Sequence, residues 1–151
     1  MELVIFIGLQ ASGKTTFYRE RFATTHAHIS KDLFPNNKNK NRRQEQLIKA
    51  ALDAGQSVVV DNTNPTPLER TPLIDIGNSY GCQINGYYFA SQLSYCLERN
   101  WLRTGKARVP DVALYATAKK LIIPSFSEGF HQLFRVKFNE NSQQVEEVER
   151  G

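Results

Sequence analysis

The sequence predicts an α/β fold: a mainly parallel sheet with helices on both faces. Three observations carry that expectation. Apolar runs such as Leu3-Val4-Ile5-Phe6-Ile7 and Val58-Val59-Val60 are continuous where a half-exposed strand would alternate. They fit strands covered on both sides. These runs alternate with segments of helical period, the order that builds parallel sheets. The first run also passes through a glycine-bearing turn straight into a helical pattern, as a parallel strand–helix unit requires.

Taken in order, residues 3–7 form a central strand ending at Gly8, and residues 13–23 read as a helix. A short strand follows near 27–29. Residues 33–41 are rich in Asn and Lys and contain Pro35, which predicts a loop. Residues 42–54 return to helix, with Leu47, Ile48, Ala51 and Leu52 on one face and Gly55 as the stop. Ser57–Val60 is a second buried strand closed by Asp61. Pro65 and Pro67 open a helix that runs to Tyr80. Residues 83–89 predict a strand and 91–103 a helix. A basic loop at 104–108 leads to Pro110 and a helix to Ile122, which Pro124 ends. Residues 132–138 predict the last strand. The expected organisation is one domain over 1–138 and a polar tail over 139–151. That tail holds Glu140, Glu146, Glu147 and Glu149 and is expected to fray.

Composition narrows the class. Hydrophobic residues make up 40% and charged residues 23% of the 151 positions, which excludes a disordered or fibrous chain. No apolar run approaches the roughly 18–20 residues that cross a bilayer, so no membrane is expected. Cys82 and Cys96 match no zinc spacing and make no disulfide framework. They predict reduced core thiols and an intracellular, cytoplasmic protein. His26, His28 and His131 are scattered without metal spacing and read as structural or surface residues. The formal charge of +4 suits a polyanionic partner. Its bases are grouped, in Lys38, Lys40, Arg42 and Arg43 and again in Arg99, Arg103, Lys106 and Arg108.

Gly8-Leu9-Gln10-Ala11-Ser12-Gly13-Lys14-Thr15 fits G-x-x-x-x-G-K-[ST] at every fixed position, between a strand and a helix. The glycines let the chain bend so that successive N–H groups converge on phosphate oxygens. The helix N-terminus, continuing through Thr16, adds partial positive charge. Lys14 is expected at the β- and γ-phosphates, and the Thr15 hydroxyl on Mg²⁺. The fold class becomes a P-loop NTPase, and the expected cofactors are ATP as phosphate donor and Mg²⁺. Asp61, at the end of a Val-rich strand, is the expected carboxylate near that Mg²⁺, although Asp61-Asn62-Thr63-Asn64-Pro65 would also serve as turn and cap chemistry.

Transfer to an alcohol needs a base. Asp32, after the strand at His28-Ile29, stands in the right segment. The same residue would equally serve as a helix N-cap. Arg99 and Arg103, four apart, are expected to project from one helical face and to clamp a transferring phosphoryl group. A solvated basic face at a helix C-terminus would look the same. Trp101 is expected to pack.

Together these pieces resemble the kinase domain of the 5′-hydroxyl polynucleotide kinases, phage and eukaryotic. The resemblance covers Gly8 to Phe138. It rests on Gly8–Thr16, Ser30-Lys31-Asp32, Asp61–Pro65 with Glu69-Arg70, Arg99-Asn100 with Arg103, Val109-Pro110, and Glu128-Gly129-Phe130. It implies that Asp32 is the general base on a 5′-hydroxyl, and that Lys14, Arg99 and Arg103 clamp the transferred phosphate. It also implies that Asp61 lies near Mg²⁺ or the acceptor end. Lys31, Asn62 and Thr63 are implied on the acceptor side, Thr63 beside the terminal nucleotide. The family usually carries Arg where this chain has Lys31, and the phage enzyme's substrate arginine after Asp32 has no counterpart. Arg42 and Arg43, in the basic stretch that follows, are expected to contact the acceptor instead. The implied partner is a DNA or RNA 5′-OH end. A P-loop kinase of a nucleoside or other small alcohol is the rival reading. An ATP-binding module without a transfer substrate is a second.

Overall fold

The computed structural model describes residues 1–139 and 142–151. Six strands form one sheet in the order β2-β3-β1-β4-β5-β6. They are β1 Glu2–Gly8, β2 His26–Ile29, β3 Ser57–Asp61, β4 Gln83–Phe89, β5 Gln132–Asn139 and β6 Ser142–Val148. The first five run parallel, and β6 returns antiparallel to β5. The helices are α1 Lys14–Arg21, α2 Lys40–Asp53, α3 Pro67–Ser79, α4 Leu93–Trp101 and α5 Asp111–Lys120. The expected α/β class is therefore what the chain adopts.

Period-two alternation splits the buried strands between two cores. Leu3, Ile5 and Ile7 of β1 face α2 and α3, against Ile48, Leu52, Leu73 and Ile74. Val4 and Phe6 face α1, against Phe17, Tyr18 and Phe22. Phe6 meets Phe17 and Phe89 edge-on, with centroids 5.8 and 5.0 Å apart. Such pairs add about 0.5–1.5 kcal/mol each beyond burial. A third cluster, with Leu9, Cys96 and Leu114, seats α4 and α5 beside the turn after β1. Both cysteines are free and buried. Among the described residues, no helix is long and apolar enough to cross a membrane.

Four expectations change. The segment expected to fray contains β6, whose residues pair with β5 from Leu133↔Val148 to Asn139↔Ser142. One apolar inward residue suffices, because Val145 packs on the Phe6 cluster and the hairpin satisfies the backbone. Glu140 lies outside the described residues. Helix α2 begins at Lys40, inside the expected loop, because Asn39 caps it by accepting from the Arg42 N–H at 3.1 Å. Helix α4 ends at Trp101, so Arg103 lies beyond it. Trp101 does not pack: it is 61% exposed, with the Arg108 guanidinium 4.1 Å from its ring centroid.

Candidate active site

Beta1 is the point where the chain switches from building one half of the sheet to the other. The crevice at the carboxyl ends of the strands opens there. The turn after it is held tightly. The Gly8 N–H donates to the Thr63 carbonyl at 3.0 Å, and a Cβ at Gly8 would sit 2.9 Å from that of Phe89. Gly13 has φ +95°, and a Cβ there would lie 2.6 Å from the Phe138 ring. Gln143 of β6 donates to the Gly13 carbonyl at 3.2 Å, so the final hairpin braces the turn. Helix α1 starts at Lys14, and its first N–H groups have no partner within the helix. Those of Thr15 and Thr16 are among them. Gln10 and Ala11 line the cavity there.

Lys14 is 8% exposed. Its Nζ donates to the carbonyls of Gly8 (3.1 Å) and Leu9 (2.6 Å) and to Ser12 Oγ (3.4 Å). Burial pulls its pKa from the ordinary 10.5 to about 8, with the Asp61 charge opposing and that of Arg103 assisting. Phosphate oxygens entering the turn would give this ammonium the anionic partners it lacks.

Asp61, at the end of β3, is 4% exposed. Its Oδ2 accepts from Thr15 Oγ1 at 2.9 Å and from His28 Nε2 at 2.8 Å. A hydroxyl that donates its proton to a carboxylate keeps its lone pairs for a cation. The two side chains thus make an oxygen donor set suited to Mg²⁺, which takes few protein ligands beside nucleotide phosphates. Among the described residues no group of three or more His, Cys, Asp or Glu is placed to hold a metal by itself.

Asp32 sits in a 3₁₀ turn, Lys31–Leu33, whose N-cap is Ser30. Ser30 Oγ accepts from the Asp32 N–H at 3.3 Å, so Asp32 does not cap, and its exposed carboxylate lines the cavity. Asn62 fixes this turn: its Oδ1 accepts from the Lys31 N–H (2.9 Å), and its Nδ2 donates to Gln44 of α2 (2.6 Å). Asn62 is therefore a strut between β3, α2 and the Asp32 turn. Asn64 donates to the Phe6 carbonyl at 2.8 Å.

Behind the loop after β3 lies Arg70, fully buried. It donates to the carbonyls of Asn64 (2.8 Å), Pro65 (3.0 Å) and Ile122, and to both Glu128 oxygens at 3.1 and 3.0 Å.

Lys14, Asp32, Asp61, Thr63, Arg99 and Arg103 all line one open cavity of about 980 Å³. Burial and the Arg99 charge pull the Arg103 guanidinium below its ordinary pKa, while Asp32 opposes. Arg103 Nη1 donates to the Ala107 carbonyl at 3.3 Å. The loop is pinned by Asn100, paired to the Val109 backbone at 2.7 and 3.0 Å. Arg99 is placed differently from Arg103. Its guanidinium lies 5.6 Å from the Tyr95 ring centroid and 5.2 Å from that of Phe138, facing a second cavity of about 770 Å³ as well. Among the described residues its Nη1 is buried without a partner.

Lys31 lines the main cavity together with Lys40 and Arg19. Burial lowers the Lys31 pKa; Glu69 opposes and Lys40 adds to the fall. Arg42 and Arg43 are exposed on α2 and do not line the cavity. Sequence reasoning missed Arg19, Gln44 and His28. The histidine was hidden because its contact depends on register: β2 pairs His28 with Val59, two residues before Asp61 on the same face. His26 and His131 are structural, the latter accepting from the Ile84 N–H at 2.8 Å.

Residues 3–121 match the AAA-domain family model. The chain is 26% identical over 144 residues to the bifunctional polynucleotide phosphatase/kinase of Schizosaccharomyces pombe, covering 91% of this chain and 34% of that protein. It thus spans about a third of that relative's length. A fungal RNA kinase shares the fold at TM-score 0.68 and 19% identity, over 93% of this chain and 40% of the other. So does a gluconokinase from Sinorhizobium meliloti, at TM-score 0.64 and 19% identity over 90% and 82%. With residues 3–121 matched, most of its length, the chain belongs to the AAA-domain family.

Proposed function

We propose that this chain transfers the γ-phosphoryl group of ATP to the 5′-hydroxyl end of DNA or RNA. The observation that carries the reading is the placement of Asp32. Ser30 takes the capping role, and the Asp32 carboxylate is left facing the cavity that Lys14 and Arg103 also line.

Each residue then has a task. Asp32 accepts the proton of the 5′-hydroxyl as its oxygen bonds to the γ-phosphorus and the bond to the β,γ-bridging oxygen breaks. Lys14, Arg103 and the first N–H groups of α1 stabilise the charge on the transferring oxygens. Arg99 closes the donor side. Thr15 and Asp61 would hold Mg²⁺, which would neutralise phosphate charge. Thr63, which lines the same cavity, contacts the terminal nucleotide in this reading. Lys31 and Lys40 meet the first acceptor phosphates, and Arg42 and Arg43 those farther along.

The polynucleotide reading is supported by the named function of the Schizosaccharomyces pombe relative and by Arg19, Lys31 and Lys40, which line the cavity with Asp32. A small-alcohol kinase is the second reading, favoured by the gluconokinase's cover of 82% of its own length. Salt separates the two. Each contacted phosphate on a single strand gives a log–log slope of about −0.7. The KM for a 5′-OH oligonucleotide is expected to rise steeply with salt, and Lys40→Ala to flatten the slope by about one such contact. A flat wild-type slope would favour the small-molecule acceptor.

A further inference from the structure

Strand β2 brings a side chain to the site for which neither the motif nor the reaction accounts. His28 Nε2 lies 2.8 Å from Asp61 Oδ2, the oxygen that also receives the Thr15 hydroxyl at 2.9 Å. A carboxylate offers only acceptors, so Nε2 carries the proton and donates. The imidazole is held on its face as well. Tyr18 of α1 stacks on it with centroids 4.1 Å apart and planes 17° apart, and the Tyr18 hydroxyl is anchored to the His26 carbonyl at 2.5 Å. A strand and a helix thus fix one ring, and the ring holds one carboxylate oxygen.

We infer that His28 is a positioning residue for Asp61. Its Nε2–H, braced by Tyr18, holds Oδ2 so that Oδ1 and the Thr15 hydroxyl present one set of oxygens to a divalent cation. Two observations join here. Asp61 is almost fully buried, so few rotamers are open to it, and both donors converge on one oxygen, which leaves the other for the metal or its water. Outer partners of metal ligands act by fixing orientation, and their loss typically weakens metal affinity about 10–100-fold. The inference rests on the assignment of Thr15 and Asp61 to Mg²⁺.

The bland alternative is a histidine that merely packs on Tyr18. Two substitutions separate them. His28→Phe keeps a ring for the stack and removes the donor. His28→Gln removes the ring and keeps an N–H at the same reach. The readout is Mn²⁺ affinity of the protein saturated with a non-hydrolysable ATP analogue, from the EPR signal of free Mn²⁺, with the melting temperature recorded beside it. Mn²⁺ shares the oxygen preference of Mg²⁺. Positioning predicts that His28→Phe weakens Mn²⁺ binding about 10–100-fold and that His28→Gln stays within about threefold of wild type, whatever each does to the melting temperature. If His28→Phe binds Mn²⁺ like wild type, or His28→Gln loses it equally, the inference is overturned and the ring only packs. If Asp61→Asn in the wild-type background leaves Mn²⁺ affinity unchanged, the metal assignment itself fails, and this inference with it.

Discussion

Asp32 follows β2 and Asp61 ends the neighbouring β3, yet their surroundings differ. Asp61 is buried and saturated on one oxygen by Thr15 and His28, as suits a carboxylate that orients a cation. Asp32 is exposed to the cavity and relieved of capping by Ser30. Asp32→Asn keeps size and polarity but removes the proton acceptor. Transfer is expected to fall about 10²–10⁴-fold in kcat while the melting temperature and nucleotide affinity hold. Stability loss with activity retained would return Asp32 to a structural role. Lys14 carries a pH signature. With its pKa lowered to about 8, the free folded protein sheds this proton below the ordinary 10.5 of the unfolded chain. Between those values the unfolded state binds more protons, so this group's contribution makes stability rise with pH. Phosphate needs the ammonium, so nucleotide affinity should fall as pH rises through about 8. Calorimetry with the ATP analogue at pH 7 and 9 checks this, and equal affinity at both would contradict it. The phosphate turn and Asp61 were legible because their chemistry demands particular residues at fixed spacing. His28 was not, since a contact between parallel strands is written in register and not in spacing.

At the scale of elements, the site is a set of strand ends and helix starts tied together from behind. Asn62 joins β3 to α2 and the Asp32 turn, and Gln143 of β6 reaches the Gly13 carbonyl. The strongest tie is Arg70 of α3, which gathers the carbonyls of Asn64, Pro65 and Ile122 and the carboxylate of Glu128. This gives physical roles to Arg70 and Glu128, which the sequence offered only as resemblance. Glu128→Ala leaves the guanidinium buried and without its charge partner, a loss of about 3–5 kcal/mol. A marked drop in denaturant midpoint is expected, and a shift within error would mean water replaces the carboxylate. Helix starts were harder to read. The Asn39 cap was lost in a stretch of similar Asn and Lys residues, so α2 begins earlier than the sequence suggests and turns Arg42 and Arg43 outward. Strand β6 escaped notice because Val145 is its sole inward apolar residue. Arg103 lies past α4 with its guanidinium bonded to the Ala107 carbonyl. Arg103→Lys keeps the charge but loses the planar fork. Turnover should fall more than tenfold with ATP affinity little changed, as steady-state kinetics would read.

For the whole molecule, topology does what the sequence foretold. The switch at β1 opens a crevice, and the turn after β1, Asp32, Asp61, Arg99 and Arg103 all line it. The acceptor is where the reading reaches beyond the fold, because the same chassis carries a gluconokinase and an RNA kinase. In this chain Arg19, Lys31 and Lys40 line the same cavity as Asp32. The most direct test is transfer of ³²P from γ-labelled ATP with Mg²⁺, by wild type and Asp32→Asn, to a panel of 5′-OH oligonucleotides, nucleosides and sugars. The account predicts label on the 5′-OH oligonucleotides, little on nucleosides or sugars, and transfer about 10²–10⁴-fold slower with Asp32→Asn. Label carried as well by a nucleoside or a sugar as by an oligonucleotide would contradict it.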